Sequence, residues 1–342
     1  SIGGTMASIW FKEGDFADHL HELLGYKSGV AASIEHMCDL LSGTPFADEI
    51  PKSEKFGIRI RSEDYESLYY ELLHKVGTTE KVFRGHFEVF EVLRKLEKSG
   101  GMEFAYAIQE IFTRNIRLGT EAAIKSNAKV LDPSPMINEA AKKFGRKGLD
   151  GIVELIMAND AVQKYSPLSS LRFKEWENIV DLNSLFNEYQ PVVENGAFFD
   201  QRFIDYLSVN NDKLQDMHWR KFEEFTAECF TRFGYNVELG PGSNDDGVDV
   251  RVWHPEKKDF PKYIIQCKRY KSKIEKLTIK GLYTDVLHEG AEIGLLVTTS
   301  EFSTGARKTI DARGYPIEEV NRDNISMWLQ ELRTPGTGIV RV

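Results

Sequence analysis

Two β-branched runs decide how the chain reads: Val248-Asp249-Val250-Arg251-Val252-Trp253 and, shortly after, Tyr263-Ile264-Ile265-Gln266-Cys267-Lys268. Alternate side chains of a strand face opposite ways. The first run therefore predicts Val248, Val250 and Val252 on one buried face, with Asp249 and Arg251 on the other. In the second, Gln266 and Lys268 project together, opposite Ile265 and Cys267. Outward from these runs the spacing predicts a helix over Met217–Phe233 and a strand over Tyr235–Leu239 on the N-terminal side. On the other side it predicts a helix over Ile274–His288, a strand over Ile293–Thr299 and a helix over Ser303–Arg313. A strand over Ile317–Val320 and a helix over Asn324–Leu332 complete the series. Consecutive strands followed by strands alternating with helices indicate one mixed sheet with helices on both faces.

The first part of the chain has a different texture. Helical spacing recurs over Asp18–Leu24, Ala31–Leu41, Tyr65–Val76, Lys81–Leu96, Glu103–Val130, Asn138–Phe144, Leu149–Val162, Phe173–Tyr189 and Phe198–Val209, and only Ile58–Ile60 suggests a strand. The expected fold is thus α+β overall, an all-α domain over residues 6–212 followed by an α/β domain over 213–342. Ser1–Thr5, ahead of Met6, reads as an expression scar and is set aside.

Charge divides at the same place. The whole chain of 342 residues carries 44 Lys+Arg against 53 Asp+Glu, net -9, which taken alone argues against a polyanionic partner. From Lys213 onward there are 20 bases and 20 acids, so the whole acidic excess lies in the N-terminal part. Cys38, Cys229 and Cys267 show no CxxC pairing, which points away from a disulfide framework or zinc ribbon and toward a reducing compartment. No apolar run is long enough for a membrane helix and no signal-peptide pattern is present, so a cytoplasmic protein is expected. There is no GxxxxGK[ST] loop to indicate an ATP-driven motor.

On the Met217–Phe233 helix, Trp219, Phe222, Phe225, Thr226, Cys229, Phe230 and Phe233 form one stripe toward the sheet. Glu223 falls at the edge of that stripe, whereas Glu224 and Glu228 are expected on the solvated side. Singly, each polar residue has an ordinary reading: a half-solvated strand, a strand end reaching water, a flanking surface carboxylate. The ordered set says more. Phe222-Glu223 ahead of Gly234-Tyr235, then Asp246-Gly247-Val248-Asp249-Val250, then Gln266-Cys267-Lys268-Arg269-Tyr270, resembles the Mrr-like restriction endonuclease branch of the PD-(D/E)xK nuclease superfamily. A later echo is Leu295-Leu296-Val297-Thr298-Thr299-Ser300-Glu301-Phe302-Ser303.

The resemblance covers roughly Trp219–Leu332 and implies a restriction-endonuclease-like fold and a metal-dependent endonuclease. It implies catalytic roles for Glu223, Asp249, Gln266 and Lys268. The metal, Mg²⁺ with Mn²⁺ as an alternative, would be held by Asp249, Gln266, the backbone carbonyl of Cys267, and Glu223. Gln266 departs from the Asp or Glu of the wider superfamily but matches the Mrr-like branch. Asp245 and Asp246 are near enough to contribute, although a polar turn explains them equally.

Lys257 to Lys280 is rich in bases, with only Asp259 and Glu275 against them. Arg269, Lys271, Lys273, Lys276 and Lys280 are the expected DNA-binding residues, duplex DNA being the expected partner, because phosphate contacts supply most sequence-independent affinity. The acidic helical part is open to three roles: homo-oligomerisation, docking of a partner protein of a defence system, or restraint of the nuclease. Fusion of such modules to Mrr-like domains suggests anti-phage defence by analogy. Two alternatives use the same residues: a nucleic-acid-binding scaffold that does not cleave, and a repair or resolvase-type nuclease acting on branched DNA.

Overall fold

The computed structural model describes residues 7–126, 131–169, 178–187, 196–242, 247–256 and 259–334. Helices dominate the N-terminal region: α1 (Asp15–Ser28), α2 (Ile34–Leu41), α3 (Glu49–Ser53), α4 (Ser62–Lys75), α5 (Phe87–Gly100), α6 (Met102–Ser126), α7 (Ser134–Tyr165) and α8 (Gln201–Val209). The two helices expected from Asn138 to Val162 abut within α7, where the chain leaves helical geometry at Gly145. Helices α5, α6 and α7 close a core of their own around Ile108, Ala140 and Ile152.

Two small strand pairs accompany these helices. Strand β1 (Ser8–Phe11) runs antiparallel to β3 (Ile58–Arg61), confirming the strand suggested at Ile58–Ile60. Strand β2 (Val30–Ala31) pairs in parallel with β4 (Val180–Asp181). The helix expected over Phe173–Tyr189 is therefore replaced, where the chain is described, by β4 and a 3-10 turn over Leu182–Leu185. The β-branched pair Ile179-Val180 favours extension. The Asp181 carboxylate then takes the Asn183 N–H, a local bond that competes with helix.

The C-terminal region forms a mixed five-stranded sheet, β5 (Asn236–Leu239), β6 (Val250–Trp253), β7 (Tyr263–Lys268), β8 (Ile293–Thr298) and β9 (Ile317–Val320), in that spatial order. The first three strands are antiparallel and the last three parallel. Helices α9 (Trp219–Arg232) and α12 (Arg322–Leu332) cover one face, and α10 (Lys276–Glu289) and α11 (Thr304–Arg313) the other. Val250, Val252 and Ile265 join the core on the α9 face, while Ile264 and Leu296 pack under α10. Val248 departs from the expected alternation. It is buried in the α10-side core, opposite to Val250, because regular pairing of β6 begins only at Val250.

Helix α9 corrects the sequence reading more deeply. Trp219, expected in the apolar stripe, overhangs the start of the helix and is exposed. Glu224 and Glu228, expected in water, are buried, and so is Lys221, which pairs with Glu224 at 2.8 Å. The N-terminal region covers this side. One Glu228 oxygen accepts the backbone N–H groups of Ala197, Phe198 and Phe199 at 2.8, 2.7 and 3.2 Å, and the other takes Arg232 Nε at 2.6 Å. Gly196 permits the tight loop, since a Cβ there would lie 2.1 Å from the Phe199 carbonyl oxygen. A single apolar core runs from Phe16 through Tyr206 and Phe225 to Leu329, continuous across residue 212.

A second tie closes the far end of the chain. Thr334 N–H and Gln201 Nε2 both donate to Asp205 Oδ1, and Arg333 reaches the Thr79 carbonyl. Burial raises the Asp205 carboxyl to about 7, against the lowering effects of Gln201, Thr334, Arg333 and Arg232.

Two outcomes follow. Glu228→Ala leaves three N–H donors and Arg232 without their buried acceptor and lowers stability by about 3 kcal/mol, measured by urea or thermal unfolding. The Asp205 carboxyl binds its proton more tightly folded than unfolded, so its contribution falls as pH rises from the unfolded carboxylate range to about 7 and is flat above. Melting temperatures recorded across that interval should show a decline that Asp205→Asn reduces.

Candidate functional site

The carboxyl ends of the parallel strands gather the polar residues of the C-terminal region. Each parallel strand is followed by a helix, so α10, α11 and α12 begin at the end where β7, β8 and β9 finish. Helix α9 begins there too, because its Arg220 guanidinium abuts Gly242, just beyond β5 and close to the start of β6. Four helix N-termini therefore surround one end of the sheet, those of α9, α11 and α12 capped by His218, Ser303 and Asn321, and their dipoles favour an anionic ligand. Crevices at the carboxyl ends of strands are the usual ligand sites of open α/β sheets.

Asp249 stands at the entrance to β6. Its N–H donates to the Ile265 carbonyl at 2.9 Å, and its Oδ2 accepts the Cys267 N–H at 2.6 Å. The carboxylate thus satisfies a ladder donor on β7 just where the neighbouring strand ends. Gln266 Nε2 donates to the Gly247 carbonyl at 2.9 Å and steadies the turn that delivers Asp249. Its Oε1 accepts no hydrogen bond among the described residues. Asp245 and Asp246 lie outside the described residues.

Glu223 is buried on α9 and pairs with Arg220 at 2.8 Å. Lys268 is half-buried at the end of β7, and its ammonium has no partner among the described residues. Cys267 shows that these charges converge. Burial pushes its thiol well above the ordinary range, and Asp249 and Glu223 push it further up while Lys268 pulls it down. Its Sγ lies 3.5 Å from Thr226 Oγ1 on α9, joining helix to sheet. A thiol held protonated in this way is neither nucleophile nor soft metal ligand.

Among the described residues no group of three His, Cys, Asp or Glu side chains is placed to hold a metal ion. Two carboxylates, an amide oxygen and a backbone carbonyl do not make a closed protein cage. They fit a hard cation that takes one or two carboxylates and keeps several waters, as Mg²⁺ does.

The expected basic residues divide. Lys271, Lys276 and Lys280 are exposed, whereas Lys273 is paired with Glu301 at 2.7 Å. Arg269 turns inward: Nη1 donates to the Gln215 carbonyl at 3.3 Å, and Nε is buried without a partner among the described residues. Gln215 belongs to a 3-10 turn over Asn211–Asp216, which Arg322 at the start of α12 also holds through the Asn211 carbonyl. This turn thus lies against the same end of the sheet. Lys257 and Lys258 are outside the described residues.

Arg220 and Thr226 were not among the expected site residues. Arg220 had a signal, its i,i+3 spacing to Glu223; Thr226 had none beyond its place in the apolar stripe. His218 caps α9 through Nδ1, which accepts the Arg220 N–H. Thr298 and Thr299 bond within the chain, to Ser300 N–H and the Tyr270 carbonyl.

Comparison with known proteins agrees with this end of the molecule. The family described as Mrr_cat, Restriction endonuclease, matches residues 214–329. The C-terminal region resembles that family. A relative from Sinorhizobium fredii (strain NBRC 101917 / NGR234), the uncharacterized protein y4cE, is 30% identical over 102 residues. That match takes in 29% of this chain and 26% of the relative, so the chain spans about a quarter of the relative it matches. Among solved structures, the MspJI restriction endonuclease in complex with a 27-mer oligonucleotide aligns over 58% of this chain and 41% of that one. Its identity is 17% and its TM-score 0.26, too low to bear on function. Among the described residues no helix is long and apolar enough to cross a membrane.

The bond from Cys267 N–H makes Asp249 structural as well as polar. Asp249→Ala should cost about 1–3 kcal/mol of stability, while Asp249→Asn, which keeps an acceptor oxygen, should cost less. Thermal melting of the two variants measures the difference.

Proposed function

We propose that this end of the sheet is the active site of a metal-dependent DNA endonuclease, which hydrolyses phosphodiester bonds under the control of the helical region. The observation that carries the reading is the convergence of Glu223, Asp249 and Lys268, the last without an ion-pair partner among the described residues, on Cys267 at an end of the sheet ringed by helix N-termini. The resemblance of residues 214–329 to restriction endonucleases supports it.

In this proposal Asp249 is the principal ligand of Mg²⁺ (Mn²⁺ would serve), with the Gln266 amide oxygen, the Cys267 carbonyl and Glu223 as further oxygen donors. The ion supplies Lewis acidity toward the phosphate and a water of lowered pKa. Lys268, with three donors on a flexible stem and no carboxylate paired with it among the described residues, positions the attacking water and balances negative charge that develops on phosphorus-bound oxygen. Exposed Lys271, Lys276 and Lys280 contact the flanking phosphates, and Lys273 and Arg269 join them on release from Glu301 and Gln215. A restriction or anti-phage setting in the cytoplasm suits this activity, as does assembly with a second copy or a partner protein through the helical region.

Incubation of the full chain with supercoiled, linear and single-stranded DNA in Mg²⁺ or EDTA tests the proposal. Metal-dependent loss of supercoiled DNA is expected. Asp249→Asn and Lys268→Ala should each lower the rate by about 100-fold or more. Wild-type rates in both variants would refute the assignment. Metal-independent binding without cleavage would favour the scaffold alternative.

A further inference from the structure

Away from the sheet, two adjoining cavities of about 580 and 480 Å³ open on the helical region and share His36 and Asp39 in their walls. Phe186 and Tyr206 line the larger one. Its remaining wall includes Asp212, Lys213 and Asp216 of the 3-10 turn that holds Arg269. Tyr206 is only 2% exposed. Even so, its hydroxyl makes no hydrogen bond among the described residues, and the oxygen is not sealed away from solvent. It therefore presents an unused donor and acceptor to the cavity it lines.

The surrounding charge defines what could meet that hydroxyl. Burial holds the Tyr206 phenol above its ordinary pKa, and Asp212, Asp39 and Asp216 add to the effect, so three carboxylates direct their field at it. The His36 ring lies 6.1 Å from the Phe186 ring, and its Nδ1 is buried without a partner among the described residues. Among the described residues the walls of the two cavities carry Glu35, Asp39, Asp181, Asp212 and Asp216 against Lys75 and Lys213, with His21 and His36 beside them. Neither lysine forms an ion pair with any of them among the described residues. No group of three metal-ligating side chains is present there among the described residues.

We infer that this cleft binds a small organic cation, an ammonium or guanidinium compound whose N–H donors reach the carboxylates and the Tyr206 oxygen. Charge-assisted hydrogen bonds supply direction, and the Phe186 and Tyr206 rings offer apolar and cation–π surface. The volume is that of an ordinary small-molecule site. The assignment is independent of the nuclease reading, but its location has a bearing on it. An occupant touching Asp212 and Asp216 also touches the segment whose carbonyls hold Arg269 and Arg322 at the end of the sheet.

Isothermal titration of the full chain with agmatine, without DNA, tests this. Saturable one-site binding is expected, weakened about tenfold by Tyr206→Phe and by Asp39→Asn, with 1,6-hexanediol giving no binding. Asp39 is on the exposed rim, so its variant carries the test if Tyr206→Phe melts early. Absence of saturable binding, equal affinity in both variants, or equal binding of the diol would overturn the proposal. Binding confined to an arginine-containing peptide, with agmatine silent, would also overturn it, since the surface would then recognise a polypeptide.

Discussion

A carboxylate removed from water must find donors, and Glu228 finds them on the other half of the molecule. Its two oxygens take three successive backbone N–H groups from the 197–199 loop and the guanidinium of Arg232. Buried charges are costly unless fully hydrogen-bonded, so this arrangement holds only while the loop and α9 stay in register. The same helix presents Glu223 to the sheet and Thr226 to Cys267. The position of the candidate site is therefore set on one side by β7 and on the other by a contact with the helical region.

Strand length matters as much as strand sequence at the site. Because β6 pairs regularly only from Val250, the Cys267 N–H on β7 has no strand carbonyl opposite it, and the Asp249 side chain takes its place. The polar residue that most resembles a metal ligand is thus also a piece of the sheet's hydrogen bonding. Gln266 holds the preceding turn in the same economical way, through its nitrogen, which leaves the amide oxygen for other use.

Much of this was legible in the chain. The period-2 runs around Val250 and Ile265 gave strands in the right order, and Gln266-Cys267-Lys268 marked the end at which polar residues collect. Other features lay outside what periodicity can express. A helical wheel sends Glu224 and Glu228 to water because it counts only the apolar stripe, whereas Glu224 is buried with Lys221 and Glu228 takes its donors from residues about 30 positions earlier. Val248 fails for a related reason: alternation assumes continuous pairing, and pairing stops one residue short of Asp249. The inward turn of Arg269 depends on a carbonyl 54 residues away, which no local rule contains.

Helix α9 is best regarded as a party wall. Its inner face belongs to the sheet, and its outer face buries the Lys221–Glu224 pair and joins the helical region through Glu228. A recombination event that joined a new N-terminal module at residue 212 would inherit three buried charges selected for a different neighbour. Successful chimeras would therefore have to carry the 196–209 stretch along with the sheet, or replace those side chains at the same time. The buried contacts of α9 in this chain reach back to the 197–199 loop, ahead of the point where charge and composition change.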